Sequence, residues 1–301
     1  MTDLLWEETV CPDTWQGARE FLNELKDRYV FRGMSSAAWD LETSLDRIRG
    51  YRYAESEEIL IASFRRAVLP PIHGRPPDED CVSWLALMRH YGLPSRLLDC
   101  TKSPFVAAYF AAEPPPDTDS GSDFAIWAIN EDALQRSAEA RLGILSQCSA
   151  PLSPLELGTD TLFSAALRHP MRFVALVDAN HKSDRQRAQQ GLFLCPGDPG
   201  WPFWRNLQGI PREQRTQGFM YKVVLPCGAR RAVLADLNGM DLDHMHLLPA
   251  LGDTEELCTT LKERLEDSQK HRGHFEWKVA VKPILKKYGL LEAELVDRRT
   301  R

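Results

Sequence analysis

The 301-residue sequence lacks the hallmarks of membrane, secreted and fibrous proteins. No apolar run approaches the roughly 18 residues that a membrane-spanning helix needs. The N-terminal stretch MTDLLWEETV is acidic and has no basic segment followed by an apolar one, so it does not resemble a signal peptide. The 20 Pro and 18 Gly follow no period that would indicate a rod. We therefore expect a soluble cytoplasmic protein that makes no contact with a membrane.

Paired cysteines and an excess of positive charge are missing as well. The seven Cys contain no C-x-x-C pair, so the sequence predicts neither a zinc site nor a disulfide framework, and we expect no metal. Lys and Arg together number 37 against 43 Asp and Glu, which gives a net charge of −6. This balance argues against a broad, sequence-independent grip on nucleic acid, although it allows a small basic cleft.

The common motifs of nucleotide and hydrolase chemistry do not occur. The sequence contains no G-x-x-x-x-G-K-[ST], G-x-G-x-x-G, H-E-x-x-H or G-x-S-x-G. Phosphate-binding P-loops, Rossmann dinucleotide sites, zinc proteases and α/β-hydrolases are therefore disfavoured. A functional site must be sought in less regular patterns.

Short strands and helices alternate along the chain, which predicts an α+β fold. Apolar, β-branched or aromatic runs predict strands at 29–33, 96–100, 124–129, 172–177, 191–194 and 219–225. Helical periodicity predicts helices at 15–25, 54–68, 79–91, 104–111, 230–239, 253–266 and 276–289. Pro- and Gly-rich stretches predict loops at 69–80, 113–123 and 196–217. No break in composition separates two domains, but residues 266–301 are charged and suggest a helical appendage.

Arg32 ends a predicted strand and is followed at once by Gly33. A guanidinium at a strand end can grip a phosphate or hold a ribose, and a glycine permits close approach of a ligand. The alternative is an arginine that pairs with a carboxylate to close the strand end.

Five polar residues crowd into the stretch from 90 to 103, namely His90, Arg96, Asp99, Thr101 and Ser103. Asp99 would orient a basic partner, and the two hydroxyl side chains would form the rim of a site. The alternative is that Asp99 and Thr101 merely cap the helix that begins near Ser103. Both descriptions can hold together.

Further candidates stand later in the chain. Tyr109 and Phe110 lie on the helix that follows, where an aromatic ring either stacks on a base or nicotinamide or packs into the core. Gln189 precedes the predicted strand at 191–194, where it either orients a polar ligand or satisfies buried backbone groups.

These segments together resemble the FRG-domain family over roughly residues 25–265. Phe31-Arg32-Gly33 matches the motif that names the family, and the long run from His90 to Ala111 matches its most specific stretch. Arg185-x-x-x-Gln189-x-Gly191-x-Phe193 resembles a later motif, and Leu247 to Leu251 echoes the closing one. The sequence departs from the family pattern at Ser95, Cys100 and Gln186.

The resemblance implies a layout similar to that of ADP-ribosyltransferases, with a mixed sheet surrounded by helices. In such enzymes NAD lies against a first strand that ends in Arg or His-Gly, which Phe31-Arg32-Gly33 resembles. A later element carries a Tyr or a Ser/Thr-rich turn, as Tyr109 and Thr101 to Ser103 do. The third element is usually a glutamate, and Gln189 stands where the resemblance would place it.

The resemblance therefore implies an NAD-dependent mono-ADP-ribosyltransferase, with residues 1–265 as an FRG-like domain. It suggests a bacterial toxin or phage-defence effector that modifies a nucleic acid or protein and is restrained by an antitoxin. The expected catalytic residues are Arg32, His90, Asp99, Thr101 and Gln189. The expected NAD contacts are Phe31, Arg32, Gly33, Arg96, Ser103 and Tyr109.

Two other functions remain open from the sequence. A non-catalytic module would bind a nucleotide or nucleic acid through the same Arg, His and Thr groups, and the lack of an obvious catalytic glutamate favours it. A hydrolytic nuclease would need a cluster of carboxylates for its metal, and Asp99 has no acidic neighbours to form one.

Overall fold

The structure, a computed structural model, describes residues 7–47, 80–90, 92–113, 121–148, 171–179, 184–215 and 217–248. Residues 57, 61, 64, 65, 76 and 182 are described individually. The predicted helices at 253–266 and 276–289 and the appendage at 266–301 lie outside the described residues, as does most of the predicted helix at 54–68.

A seven-stranded sheet forms the centre of the fold, with the order β1-β7-β4-β2-β3-β6-β5. Its strands are β1 Glu7–Val10, β2 Tyr29–Met34, β3 Leu98–Thr101, β4 Phe124–Asn130, β5 Val174–Val177, β6 Gly191–Pro196 and β7 Met220–Leu225. β1 and β7 run parallel, and every other neighbouring pair is antiparallel. The sheet is therefore mixed, and the predicted α+β class with a mixed sheet is confirmed.

Helices accompany the sheet along the described chain. They are α1 Trp15–Leu25, α2 Cys81–His90, α3 Pro104–Ala112, α4 Glu131–Cys148, α5 Asp184–Ala188, α6 Phe203–Gln208, α7 Arg230–Asn238 and α8 His244–Leu247. The Thr14 and Ser103 side chains cap α1 and α3, because they accept hydrogen bonds from the first turns of these helices. None of the helices in the described ranges is long and apolar enough to cross a membrane.

Apolar side chains cover both faces of the sheet. On one face Phe31 packs with residues of α1, α3 and α7, and on the other Trp127 packs with residues of α4 and α6. Successive side chains of a strand point to opposite faces, so Val30 and Phe31 enter different cores. This explains why β4 reads as an unbroken apolar run whose first six residues are buried.

The central strands β2 and β3 separate almost as soon as they meet. Their register contains one pair, Phe31 with Thr101, whereas β2 pairs with β4 over six positions and β3 with β6 over four. Beyond that pair, Arg32 on β2 and Asp99 on β3 face a gap in the sheet. The fold thus opens a crevice between two central strands, next to the first turns of α3.

Most sequence-based elements are confirmed, with boundaries that shift by a few residues. The prediction of a loop at 196–217 is wrong, because α6 forms within it and buries Phe203 and Leu207 against the sheet. Edge strand β1 and helix α4 were not predicted. The four residues of β1 are too few to show a strand pattern in the sequence. They form a strand because they pair in parallel with β7, which lies far along the chain.

Gly33 is required by the contact between β2 and α3. A Cβ atom at this position would lie 2.0 Å from the Ala107 carbonyl oxygen and 2.7 Å from the Ala111 nitrogen, both of which belong to the helix backbone. The missing side chain of Gly33 therefore makes room for the backbone of α3, and the expected contact of Gly33 with a ligand stays a prediction.

Replacing Gly33 by alanine should lower the free energy of unfolding by about 1–3 kcal/mol, because β2 and α3 must move apart. Urea denaturation measures the loss. Gly228→Ala is the matched control, since a Cβ there meets nothing within 4 Å. Equal losses in the two variants would contradict the proposed close contact.

Candidate functional site

Two adjoining pockets open where β2 and β3 separate. The first has a volume of about 330 Å³ and lies between the two strands and α3, with Trp39 and Phe110 as aromatic walls. The second has a volume of about 360 Å³ and lies between Ser44, the end of α2 and the segment from α5 to β6. The residues that line both are Arg47, Asp99, Arg185 and Gln189.

Arg32 reaches across the gap between the strands. Its Nη1 donates a hydrogen bond to the Asp99 carbonyl oxygen at 2.6 Å, and its buried Nε has no hydrogen-bond partner among the described residues. Burial lowers the pKa of Arg32 to about 10. The negative charge of Asp99 raises this pKa, whereas the positive charges of Arg89 and Arg47 lower it further. The side chain is nevertheless charged at neutral pH, and it presents a poorly satisfied cation to the first pocket.

Asp99 is held by arginines on two sides. Arg89 approaches its carboxylate with two nitrogens, Nε at 2.6 Å from Oδ1 and Nη2 on Oδ2, and Arg32 Nη1 lies 3.7 Å from Oδ2. Burial disfavours the charged form, but Arg89 and then Arg32 outweigh it and hold the pKa of Asp99 below its usual value. An ionised, bidentate carboxylate is a weak base, so the geometry argues for a positioning residue that fixes Arg89.

Positive charge exceeds negative charge in the walls of the two pockets. Arg32, Arg47, Arg89 and Arg185 contribute guanidinium groups, and Asp99 is the one carboxylate among the described lining residues. The side chains of Arg47 and Arg185 make no hydrogen bond or ion pair with the described part of the chain. A concave site of this charge, in a protein of net charge −6, attracts anions locally.

His90 lies at the end of α2 and lines the second pocket. Burial lowers its pKa, and the nearby Arg185 guanidinium lowers it further. The imidazole is therefore neutral at neutral pH, which is the state that accepts a proton.

Thr101, Ser103 and Gln189 tie the walls of the first pocket together. The Thr101 hydroxyl donates to the Gln189 carbonyl oxygen at 2.7 Å and accepts from the Ser103 backbone nitrogen at 3.0 Å. Ser103 caps α3, and the Gln189 side-chain amide donates to the Leu247 carbonyl oxygen at 2.8 Å. Thr101 and Gln189 line the pocket, whereas Ser103 caps the helix, the role that the alternative gave to Asp99 and Thr101.

Arg96 lies away from both pockets, which corrects its expected contact with NAD. Its side chain is fully buried, its Nε donates to Glu57 Oε2 at 2.6 Å, and it lines neither pocket. The buried ion pair explains why an arginine occupies this position, because a buried charge requires a partner.

Tyr109 is also corrected, since it packs in the core against neighbours that include Ala108 and Ala112 and lines neither pocket. Burial and a hydrogen bond with Glu113 raise its pKa. The next residue, Phe110, faces the first pocket instead, because one step along a helix turns a side chain by about 100°. Phe31 borders the same pocket, but its side chain is buried in the core.

Sequence reasoning missed Trp39, Arg47 and Arg89. Arg89 carried a weak signal, since it precedes His90 in the last turn of α2. Arg47 and Trp39 carried none, because the segment that holds them has no regular structure and joins the site through the fold. The described residues contain no cluster of three or more His, Cys, Asp or Glu that could hold a metal ion.

The sequence profile of the FRG domain matches residues 27–120. The match includes β2, α2, β3 and α3, and with them Arg32, Arg89, His90 and Asp99. The chain therefore carries an FRG domain. No curated protein and no solved structure matches the chain significantly.

The pKa of Asp99 should rise in an Arg89→Met variant. Burial continues to oppose ionisation there, while the strongest stabilising charge is gone. Carbon-13 NMR titration of the carboxyl groups, with Asp99→Asn for assignment, measures the shift. Arg187→Met is the control, because Arg187 pairs with the exposed Asp184 and should leave the Asp99 titration unchanged.

Proposed function

We propose that the protein is an NAD-dependent mono-ADP-ribosyltransferase and that the donor nucleotide occupies the first pocket. The observation that carries the proposal is the arginine-rich crevice between β2 and β3, opened by a strand end of the sequence Phe31-Arg32-Gly33. The resemblance to ADP-ribosyltransferases places NAD against such a strand end. The α+β fold with its mixed sheet is compatible with that architecture.

The chemistry of the walls suits a dinucleotide. Arg32, with Arg47 and Arg185 at the border to the second pocket, supplies forked donors for a pyrophosphate. Trp39, which is 44% exposed, and Phe110 offer flat apolar surfaces to a nicotinamide or adenine ring. The volume of about 330 Å³ lies at the lower end of the range for small-molecule sites, and the adjoining pocket enlarges it.

The reaction would proceed by substitution at the ribose carbon that carries nicotinamide. A nucleophilic oxygen or nitrogen of the acceptor forms a bond to that carbon, the glycosidic C–N bond breaks, and nicotinamide leaves with the electron pair. The acceptor loses a proton, which the neutral His90 imidazole is suited to take. Because positive charge develops on the ribose, the crowd of guanidinium groups must act on the pyrophosphate.

The biological setting in the proposal is that of a bacterial toxin or phage-defence effector. Such an enzyme would be restrained by an antitoxin protein until it is needed. This part of the proposal rests on the family resemblance alone.

A second candidate function is a nucleotide-binding module without turnover. The lack of a carboxylate available for catalysis favours this function. Asp99 is bound to Arg89, and Gln189 stands where ADP-ribosyltransferases usually have a glutamate. Among the described lining residues, no other acid is present to stabilise the ribose cation.

One assay separates the two functions. The protein is incubated with labelled NAD and cell lysate, and the label is resolved into protein, RNA, DNA and free ADP-ribose. We expect the wild-type protein to transfer ADP-ribose. The rate of transfer should fall about tenfold to a hundredfold in Arg32→Ala, because this variant loses a hydrogen bond from a charged group. Arg187→Ala, an exposed arginine outside both pockets, should retain full activity.

Circular dichroism of each variant reports whether it is folded. If the folded wild-type protein binds NAD without releasing nicotinamide, the binding module is the correct function. If it neither binds nor cleaves NAD, the first pocket is not an NAD site, and neither the transferase nor an NAD-binding module is the correct function.

A further inference from the structure

The second pocket differs in chemistry from the first. Its described lining has Arg47, Arg89, Arg185 and His90 as basic groups and lacks the exposed aromatic walls of Trp39 and Phe110. Phe193 forms a buried part of the lining. A ligand recognised here is therefore selected by charge and hydrogen bonding more than by stacking.

The arrangement fits a small anion with several acceptor oxygens. Asp99 and Ser44 hold Arg89, with Arg89 Nη1 3.3 Å from Ser44 Oγ, so that this guanidinium is fixed in place. The side chains of Arg47 and Arg185 have no hydrogen bond or ion pair within the described ranges and can turn toward a ligand. A phosphate monoester carries about −1.5 to −2 charges at neutral pH and would offset most of the local excess.

A second basic surface lies along α6 and the turn before it. Trp201 is 47% exposed with the Arg172 guanidinium 5.7 Å from its ring centre, and Arg205 lies 4.2 Å from the ring centre of Trp204. We call these four residues the Trp–Arg surface. Arginine interleaved with partly exposed tryptophan is typical of surfaces on which the bases of a single strand stack.

The Trp–Arg surface is tied to the second pocket through Asp46. The Asp46 carboxylate accepts a hydrogen bond from the Phe203 backbone nitrogen at 3.3 Å, at the first residue of α6. Arg47, the next residue along the chain, lines the second pocket. The segment that carries Arg47 is therefore joined directly to the start of α6, next to Trp204 and Arg205.

We propose that the second pocket binds the terminal phosphate of a single-stranded nucleic acid whose bases lie along the Trp–Arg surface. Binding of the nucleic acid at this site does not require that the first pocket binds NAD. Its role, to bring the acceptor strand beside the donor nucleotide, rests on the proposed function. The net charge of −6 confines the attraction for the strand to this part of the molecule.

Binding of oligonucleotides about ten residues long, with a 5′-phosphate, a 3′-phosphate or neither, tests the pocket. We expect one phosphorylated form to bind about tenfold tighter than the unphosphorylated form, because its phosphate gains a charge-assisted hydrogen bond. Arg185→Gln should abolish this preference, and Arg187→Gln, on the same helix but outside the pocket, should keep it. Equal affinity of all three oligonucleotides for the wild type would overturn the proposal.

Trp201→Ala tests the surface separately. It should weaken the binding of every oligonucleotide about fivefold or more and leave the binding of inorganic phosphate unchanged. Unchanged oligonucleotide binding would remove the surface from the proposal. A phosphoserine peptide that binds as tightly as the phosphorylated strand would overturn the assignment to nucleic acid.

Competition with NAD distinguishes the proposed phosphate site in the second pocket from the proposed NAD site in the first pocket. Because Arg47 and Arg185 border both pockets, inorganic phosphate should bind more weakly in the presence of saturating NAD but should still bind, and its complete displacement would show that the second pocket belongs to the donor site. The oligonucleotide titrations contain no NAD, so their outcome is independent of turnover. A protein that binds phosphorylated ends but never cleaves NAD would retain this inference and lose the enzymatic function.

Discussion

The early separation of β2 from β3 is the constraint on which the candidate site depends. One register pair joins these strands, and each then continues with a different neighbour. A gap inside a sheet leaves backbone groups without their ladder partners, which is costly unless other donors replace them. Arg32 supplies such a donor to the Asp99 carbonyl oxygen, and the charge it brings makes the gap attractive to an anion.

Several arginines of this domain have different physical tasks, although they look alike in the sequence. Arg96 and Arg230 are buried and structural, the first paired with Glu57 and the second donating to carbonyl oxygens that include Ala111 and Ser35. Arg89 is fixed by Asp99, whereas Arg47 and Arg185 line the pockets without a described partner. The division places rigid cations beside adaptable ones, a combination suited to binding phosphate groups.

The fold and the candidate site differ in how far they were predictable. Local patterns indicated β2, α3 and β4, because capping residues and unbroken apolar runs act over a few positions. The motif from His90 to Ala111 pointed to the correct region of the chain. The same motif placed Arg96 and Tyr109 in the site, since sequence spacing does not report which face of an element a side chain occupies.

The sequence by itself determined the class of fold, the balance of charge and the presence of the FRG domain's characteristic residues. Only the tertiary structure decided which arginines meet, since Arg32, Arg47, Arg89 and Arg185 come from four separate segments. It also decided that Gly33 serves the contact with α3. Both decisions depend on distances between segments remote in the chain, and such distances arise from packing across the sheet.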